Sequence, residues 1–243
     1  MDIEFIINEY AETVDELFLN DDITLVELFP NIYEIVDRNM ILKIYENYRC
    51  FVRERDNLLK LQDIEGVSKI ISYSMPNYSM KYVILKKESG IDFIEYLQYN
   101  DPFTEAEMKK ICKSLLQTLN KIHKKNIIHY DIKADNVLYS KDTGKTVIID
   151  FEQKYTKEYR SPEYIAKKNV SYKTDLWSMG VLFYLLSVDE FPFENSQEIK
   201  EKKLVFPKNF SKGYCQFLSF LLERDVDLRY DCEDALEDEW LNS

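Results

Sequence analysis

Between residues 86 and 91 the apolar spacing of this chain switches from short β-branched and aromatic runs to long helical periodicity. Before the switch, Thr24-Leu25-Val26-Glu27-Leu28-Phe29, Ile32-Tyr33-Glu34-Ile35-Val36 and Met40-Ile41-Leu42-Lys43-Ile44-Tyr45 are separated by Pro30-Asn31 and Asp37-Arg38-Asn39. Such runs between turn formers predict three antiparallel strands. Residues 49–62 place Phe51, Leu58, Leu59 and Leu61 among charges and predict a helix. Strands over 67–73 and 82–85, parted by a Pro76-Asn77 turn, complete a lobe of five strands and one helix. Ahead of it, residues 1–20 carry Ile3, Ile6, Ile7, Val14, Leu17 and Phe18 at helical spacing.

Beyond the switch the chain reads as mostly helical. Thr104 with Glu107 three residues later is a capping-box signature, opening a helix that runs to about Lys124. Two short strands, 136–139 and 146–149, flank an Asp142-Thr143-Gly144 turn. Helices are predicted over 172–187, 195–202, 212–223 and 232–241. The fold class is therefore α+β and two-lobed: a helical extension over 1–22, a small five-stranded lobe over 23–88 and a larger helical lobe over 89–243, together one domain.

Composition removes several function classes. The net charge of −12 opposes a nucleic-acid interface, which needs clustered Lys and Arg to displace counterions. It favours basic peptides or partner surfaces, beside its commoner meaning of a solvated exterior. Cys50, Cys112, Cys215 and Cys232 are far apart, with no Cys-x-x-Cys, so neither a zinc site nor a disulfide framework is expected. A reducing compartment, cytoplasmic or nuclear in a host cell, is the natural setting. Met1-Asp2-Ile3-Glu4 lacks the basic start of a secretion signal, and no apolar run reaches the ~18 residues of a membrane span.

The densest chemistry lies in His129-Tyr130-Asp131-Ile132-Lys133-Ala134-Asp135-Asn136, followed by Asp150-Phe151-Glu152. Phosphoryl transfer asks little covalent chemistry of a protein. It needs a carboxylate to orient a hydroxyl, oxygen ligands for Mg²⁺ and cations on the phosphates. Asp131 can be the first, Asn136 and Asp150 the second, and Lys133 one of the third. These segments resemble the catalytic loop and Asp-Phe-Gly of eukaryotic-type protein kinases, with Lys133 the Ser/Thr-type choice. Further on, Ser161-Pro162-Glu163 resembles Ala-Pro-Glu, and Asp175-Leu176-Trp177-Ser178-Met179-Gly180 resembles Asp-x-Trp-Ser-x-Gly. Phe191-Pro192-Phe193 and Asp225-Val226-Asp227-Leu228-Arg229 with Leu236 and Trp240 continue the likeness in order.

The resemblance implies further roles. Glu163 would pair with Arg229, and Asp175 would hold the catalytic-loop backbone. Thr156 would contact Asp131 and Lys133. In the small lobe Lys43 would grip the α- and β-phosphates of ATP, partnered by Glu54. Leu85 would be the gatekeeper and Lys86-Lys87-Glu88 the hinge, with Lys87 contacting the nucleotide. Asp92 would approach the ribose and Leu138 lie under the adenine. ATP with Mg²⁺, or Mn²⁺, would be used on protein substrates. Core packing and solvated charge remain the alternative reading for Leu85, Asp92 and Leu138.

The pattern also breaks. No glycine occupies Leu25-Val26-Glu27-Leu28-Phe29-Pro30-Asn31-Ile32, where the family has its Gly-rich loop, and a Cβ there obstructs close approach to phosphates. Ile41 stands for alanine, Glu152 for glycine and Tyr130 for arginine, the last removing the cation that receives a phosphorylated activation loop. That loop is pared to Gln153 through Arg160. The compaction resembles minimal kinases of viruses and intracellular parasites. Three functions compete: a Ser/Thr protein kinase free of activation-loop phosphorylation, a pseudokinase serving as a binding module, and a small-molecule kinase.

Overall fold

The computed structural model describes residues 24–75, 79–168, 170–206 and 210–243. The helix expected over 1–20 and the Pro76-Asn77 turn lie outside the described residues. Two compact units emerge: described residues through Gln62 with Ser68–Glu88, and Asp63–Val67 with Ser89–Ser243.

In the first unit β1 (Leu25–Phe29), β2 (Ile32–Ile35), β3 (Met40–Tyr45), β4 (Ile70–Tyr73) and β5 (Lys81–Lys86) form one antiparallel sheet ordered β1-β2-β3-β5-β4. Register sets Tyr33 opposite Leu42 and Leu42 opposite Ile84, so Tyr33, Ile35, Leu42, Tyr82 and Ile84 share one buried face. Alternation puts Ile41, Lys43, Tyr45, Val83 and Leu85 on the other. Helix α1 (Tyr48–Lys60) packs there, burying Phe51, Glu54 and Leu58 along one stripe. Asn47 caps it by accepting from the amides of Arg49 and Cys50. A one-residue slip of β3 would carry Lys43 away from α1, so the buried face also fixes the site's register.

The glycine-free hairpin keeps its strand pair. Asn31 takes the left-handed conformation at φ 66° that a glycine would otherwise supply, and the register shifts between Glu27 and Phe29. Glu27 sits directly opposite Tyr33. The strand expected over 67–73 begins later, at Ile70. Val67 instead bridges Ile148 in parallel, and the Ile148 amide donates to the Gly66 carbonyl at 2.8 Å. Gly66 turns at φ 86° against Thr118, whose hydroxyl would lie 2.6 Å from any Cβ there.

The second unit begins with two elements not separately anticipated, β6 (Ile91–Asp92) and α2 (Phe93–Tyr99). Helix α3 (Glu105–Lys124) carries the expected reciprocal cap of Thr104 and Glu107. β7 (Val137–Tyr139) and β8 (Thr146–Ile148) join β6 in a small sheet. Then come α4 (Pro162–Ile165), α5 (Tyr172–Val188), α6 (Ser196–Glu201), α7 (Lys212–Leu221), α8 (Cys232–Glu237) and α9 (Glu239–Asn242). Helix α5 is buried on every side from Thr174 to Ser187, and Gly180 lets α7 approach, a Cβ there meeting Leu221 and Leu222 at 3.0 Å. The single helix expected over 232–241 breaks at Asp238, whose extended backbone and carboxylate start α9 by capping the Trp240 amide. Among the described residues no helix is long and apolar enough to cross a membrane.

Candidate active site

In the second unit the loop before β7 is held from beneath by one carboxylate. Asp175, fully buried in the first turn of α5, accepts the His129 amide on Oδ2 and the Tyr130 amide on Oδ1, both at 2.9 Å. Tyr130 needs that support, because its φ of 70° costs a side-chain-bearing residue about 1–2 kcal/mol. Charge-assisted bonds to a buried carboxylate offset such a cost. His123 Nε2 reaches the same Oδ2 at 2.9 Å, a contact that nothing in the loop motif announced.

His129 is wholly buried, and burial pushes its pKa down against the opposing pull of Asp175, Asp150 and Asp131. The ring is therefore neutral near pH 7. Its Nε2–H donates to the Ile149 carbonyl at 3.1 Å, while Nδ1 accepts the Asp131 amide at 3.3 Å. One tautomer thus ties the loop to the segment just beyond β8 that carries Asp150. Phe151 packs its ring 4.6 Å from that of His129.

Asp131 is buried with both oxygens engaged. Oδ1 accepts the Thr156 amide at 2.9 Å and its hydroxyl at 2.7 Å, and Oδ2 accepts Asn136 Nδ2 at 3.2 Å. The same Nδ2 donates to the Asp131 carbonyl at 2.9 Å. Both donors of Asn136 are spent inward, and its Oδ1 receives no donor among the described residues, leaving that oxygen for a cation. Asp150, at φ 62°, offers a second hard oxygen of the kind such an ion takes. A carboxylate oxygen of Glu152 lies within 4.8 Å of one on Asp150, and Glu152 is neutralised by Lys154 at 2.8 Å. This all-oxygen set fits a divalent ion. Lys133 stands just before the short turn of Ala134–Asn136; its ammonium faces Asp135 at 3.8 Å, and the structure shows Thr156 bonded to Asp131 rather than to Lys133.

The segment after Phe151 is anchored at both ends. Gln153 Nε2 donates to the Ile128 carbonyl at 3.0 Å, and the buried Tyr159 hydroxyl accepts the Ala134 amide at 3.2 Å. Beyond it, Arg229 forks onto Glu163 with bonds of 2.8 and 2.9 Å. Arg229 also donates to the carbonyls of Glu223 and Lys173 and lies over the Trp177 ring.

In the first unit Lys43 Nζ meets Glu54 Oε2 at 2.7 Å, and both side chains are buried. The Tyr45 hydroxyl donates to the same oxygen at 2.6 Å. Leu85 is buried opposite Ile41 on the sheet face that carries Lys43. The Lys87 amide is bonded to the Asn39 carbonyl at 3.2 Å and its ammonium to Glu34, so neither donor points to a free ligand position. In the second unit Asp92 caps α2 by accepting the Glu95 amide at 2.8 Å, and half-buried Leu138 lies opposite it across the β6–β7 pair.

Comparison with known proteins agrees with this geometry. The family model described as the protein kinase domain matches residues 41–241. A Schizosaccharomyces pombe serine/threonine-protein kinase, ppk6, is 27% identical over 76% of this chain and 26% of its own length. Serine/threonine-protein kinase 1 of Heliothis zea nuclear polyhedrosis virus is 32% identical over 53% of this chain and 52% of its own. The chain thus spans about half or less of the curated relatives it matches. Among solved structures, the Cydia pomonella granulovirus kinase PK-1 superposes with a TM-score of 0.82 over 96% of this chain and 99% of that one, at 20% identity. That likeness is one of fold.

Proposed function

The chain belongs to the protein kinase domain family, and from that premise we propose that it transfers the γ-phosphoryl group of ATP to serine or threonine hydroxyls of proteins. Protein kinase domains in general use ATP with a divalent metal. The observation that carries the proposal is Asp131: a buried carboxylate, fixed by Thr156 and Asn136, in the same loop as a metal-type amide oxygen.

Asn136 and Asp150 would hold Mg²⁺, or Mn²⁺ in its place, and the ion would neutralise charge on the phosphates. Asp131 orients the acceptor hydroxyl and accepts its proton as the oxygen attacks in line. Lys133 offers positive charge to the transferred group. Lys43, oriented by Glu54, takes the α- and β-phosphates. Leu85 and Leu138 supply apolar contact for the base and Asp92 an acceptor for the ribose. We assign Lys87 to the hinge through its backbone carbonyl, since its amide is committed. The two units act as one domain. With tyrosine at position 130, activity is independent of phosphorylation in the 153–160 segment.

Purified protein is assayed with radiolabelled ATP, Mg²⁺ or Mn²⁺ and a generic basic protein, beside Asp131→Asn. Transfer to serine or threonine that falls by at least about 10³-fold in the variant is expected. Folded wild type without transfer in either metal would overturn the proposal in favour of the binding-module alternative. Transfer to a metabolite but to no peptide would overturn the choice of substrate.

A further inference from the structure

Eight residues, Gln153 to Arg160, link Glu152 to Ser161, and the loop position that could receive a phosphate on them is Tyr130. The hold on this link is aromatic instead. The Tyr155 ring stacks on Tyr164 of α4 with centroids 4.0 Å apart and planes 22° apart, and meets Tyr130 at 5.3 Å. Arg160 closes the group: its guanidinium lies 5.5 Å over the Tyr164 ring and its Nη2 donates to the Tyr155 carbonyl at 3.0 Å. The next residue, Thr156, commits its amide and hydroxyl to Asp131. Any swing of the chain at Tyr155 therefore moves two of the three donors that hold the Asp131 carboxylate, the third being Asn136 Nδ2.

We propose that Tyr155 is a positioning residue: its ring, seated on Tyr164 and Tyr130, fixes Thr156 against Asp131 and replaces by stacking the charge latch that position 130 has lost. Aromatic stacking needs no modifying enzyme and is insensitive to phosphatase. The role rests on the kinase reading above for its catalytic consequence, but the placement of Thr156 does not.

The test compares Tyr155→Ala, Tyr155→Phe and wild type in the full chain. Two readouts are taken: kcat and KM for ATP, and hydrogen exchange at the Thr156 amide. Y155A is expected to lower kcat by about tenfold or more with KM for ATP within about twofold, since small misplacements act on turnover. Thr156 exchange should rise in parallel, and Y155F should match wild type in both. If Y155A melts, Tyr155→Leu, which fills the space without a π face, should show the same split. Unchanged kcat and exchange in Y155A, or equal damage in Y155F, would overturn the proposal. Absence of transfer by wild type overturns the kinase reading alone, and the exchange arm then decides the placement.

Discussion

Replacing Glu163 by Gln keeps the shape of the side chain and removes its charge. Arg229 is 1% exposed, so its guanidinium would stay buried without a counter-ion. Breaking a buried pair from one side costs about 3–5 kcal/mol. The lower end applies here, because Arg229 keeps two carbonyl acceptors, Glu223 and Lys173, at 2.8 Å each. At roughly 2–4 °C per kcal/mol for a unit of this size, about 3 kcal/mol lowers Tm by about 6–12 °C. The pH dependence sharpens the test. Burial pushes the Glu163 carboxyl up, but the Arg229 hydrogen bonds and charge outweigh it and hold the pKa below the ordinary 4.5. A depressed folded pKa adds stability that is fully present above 4.5 and is lost as pH falls through the folded value. Thermal melts of both proteins from neutral to acid pH should therefore show a gap that closes in acid. A gap below about 2 °C at neutral pH, or one that stays constant into acid, would refute the reasoning.

Lys43→Met takes from the fully buried Glu54 carboxylate its cationic partner at 2.7 Å, and should destabilise the first unit by about 3 kcal/mol. Adding Glu54→Gln should restore part of that loss in a melt, which a surface ion pair would not do. Phosphatase treatment should leave transfer unchanged within about twofold, because Tyr130 is no phosphate receiver; a large loss would show that a phosphate is in use after all.

Much of the site is legible in the amino-acid sequence alone. Asp131, Asn136 and Asp150 are readable because chemistry demands their types at fixed spacing, and Glu163–Arg229 and Lys43–Glu54 followed from the family resemblance; the structure brings both pairs into contact. Thr104 with Glu107 and the runs around Pro30-Asn31 announced their helix and hairpin because caps and turns are local, set by residues within one turn of each other. Tyr155–Tyr164, Tyr45–Glu54 and His123–Asp175 carried no such signal. An aromatic or histidine at those positions is equally compatible with a core or a surface until distant segments pack. The same holds for Val67, expected at the head of a first-sheet strand over 67–73. Gly66 against Thr118 and Val67 beside Ile148 decide otherwise. Period, cap and turn chemistry are written in the chain itself, whereas the partner that a buried tyrosine, carboxylate or strand end finds is settled by which surfaces close-pack around it.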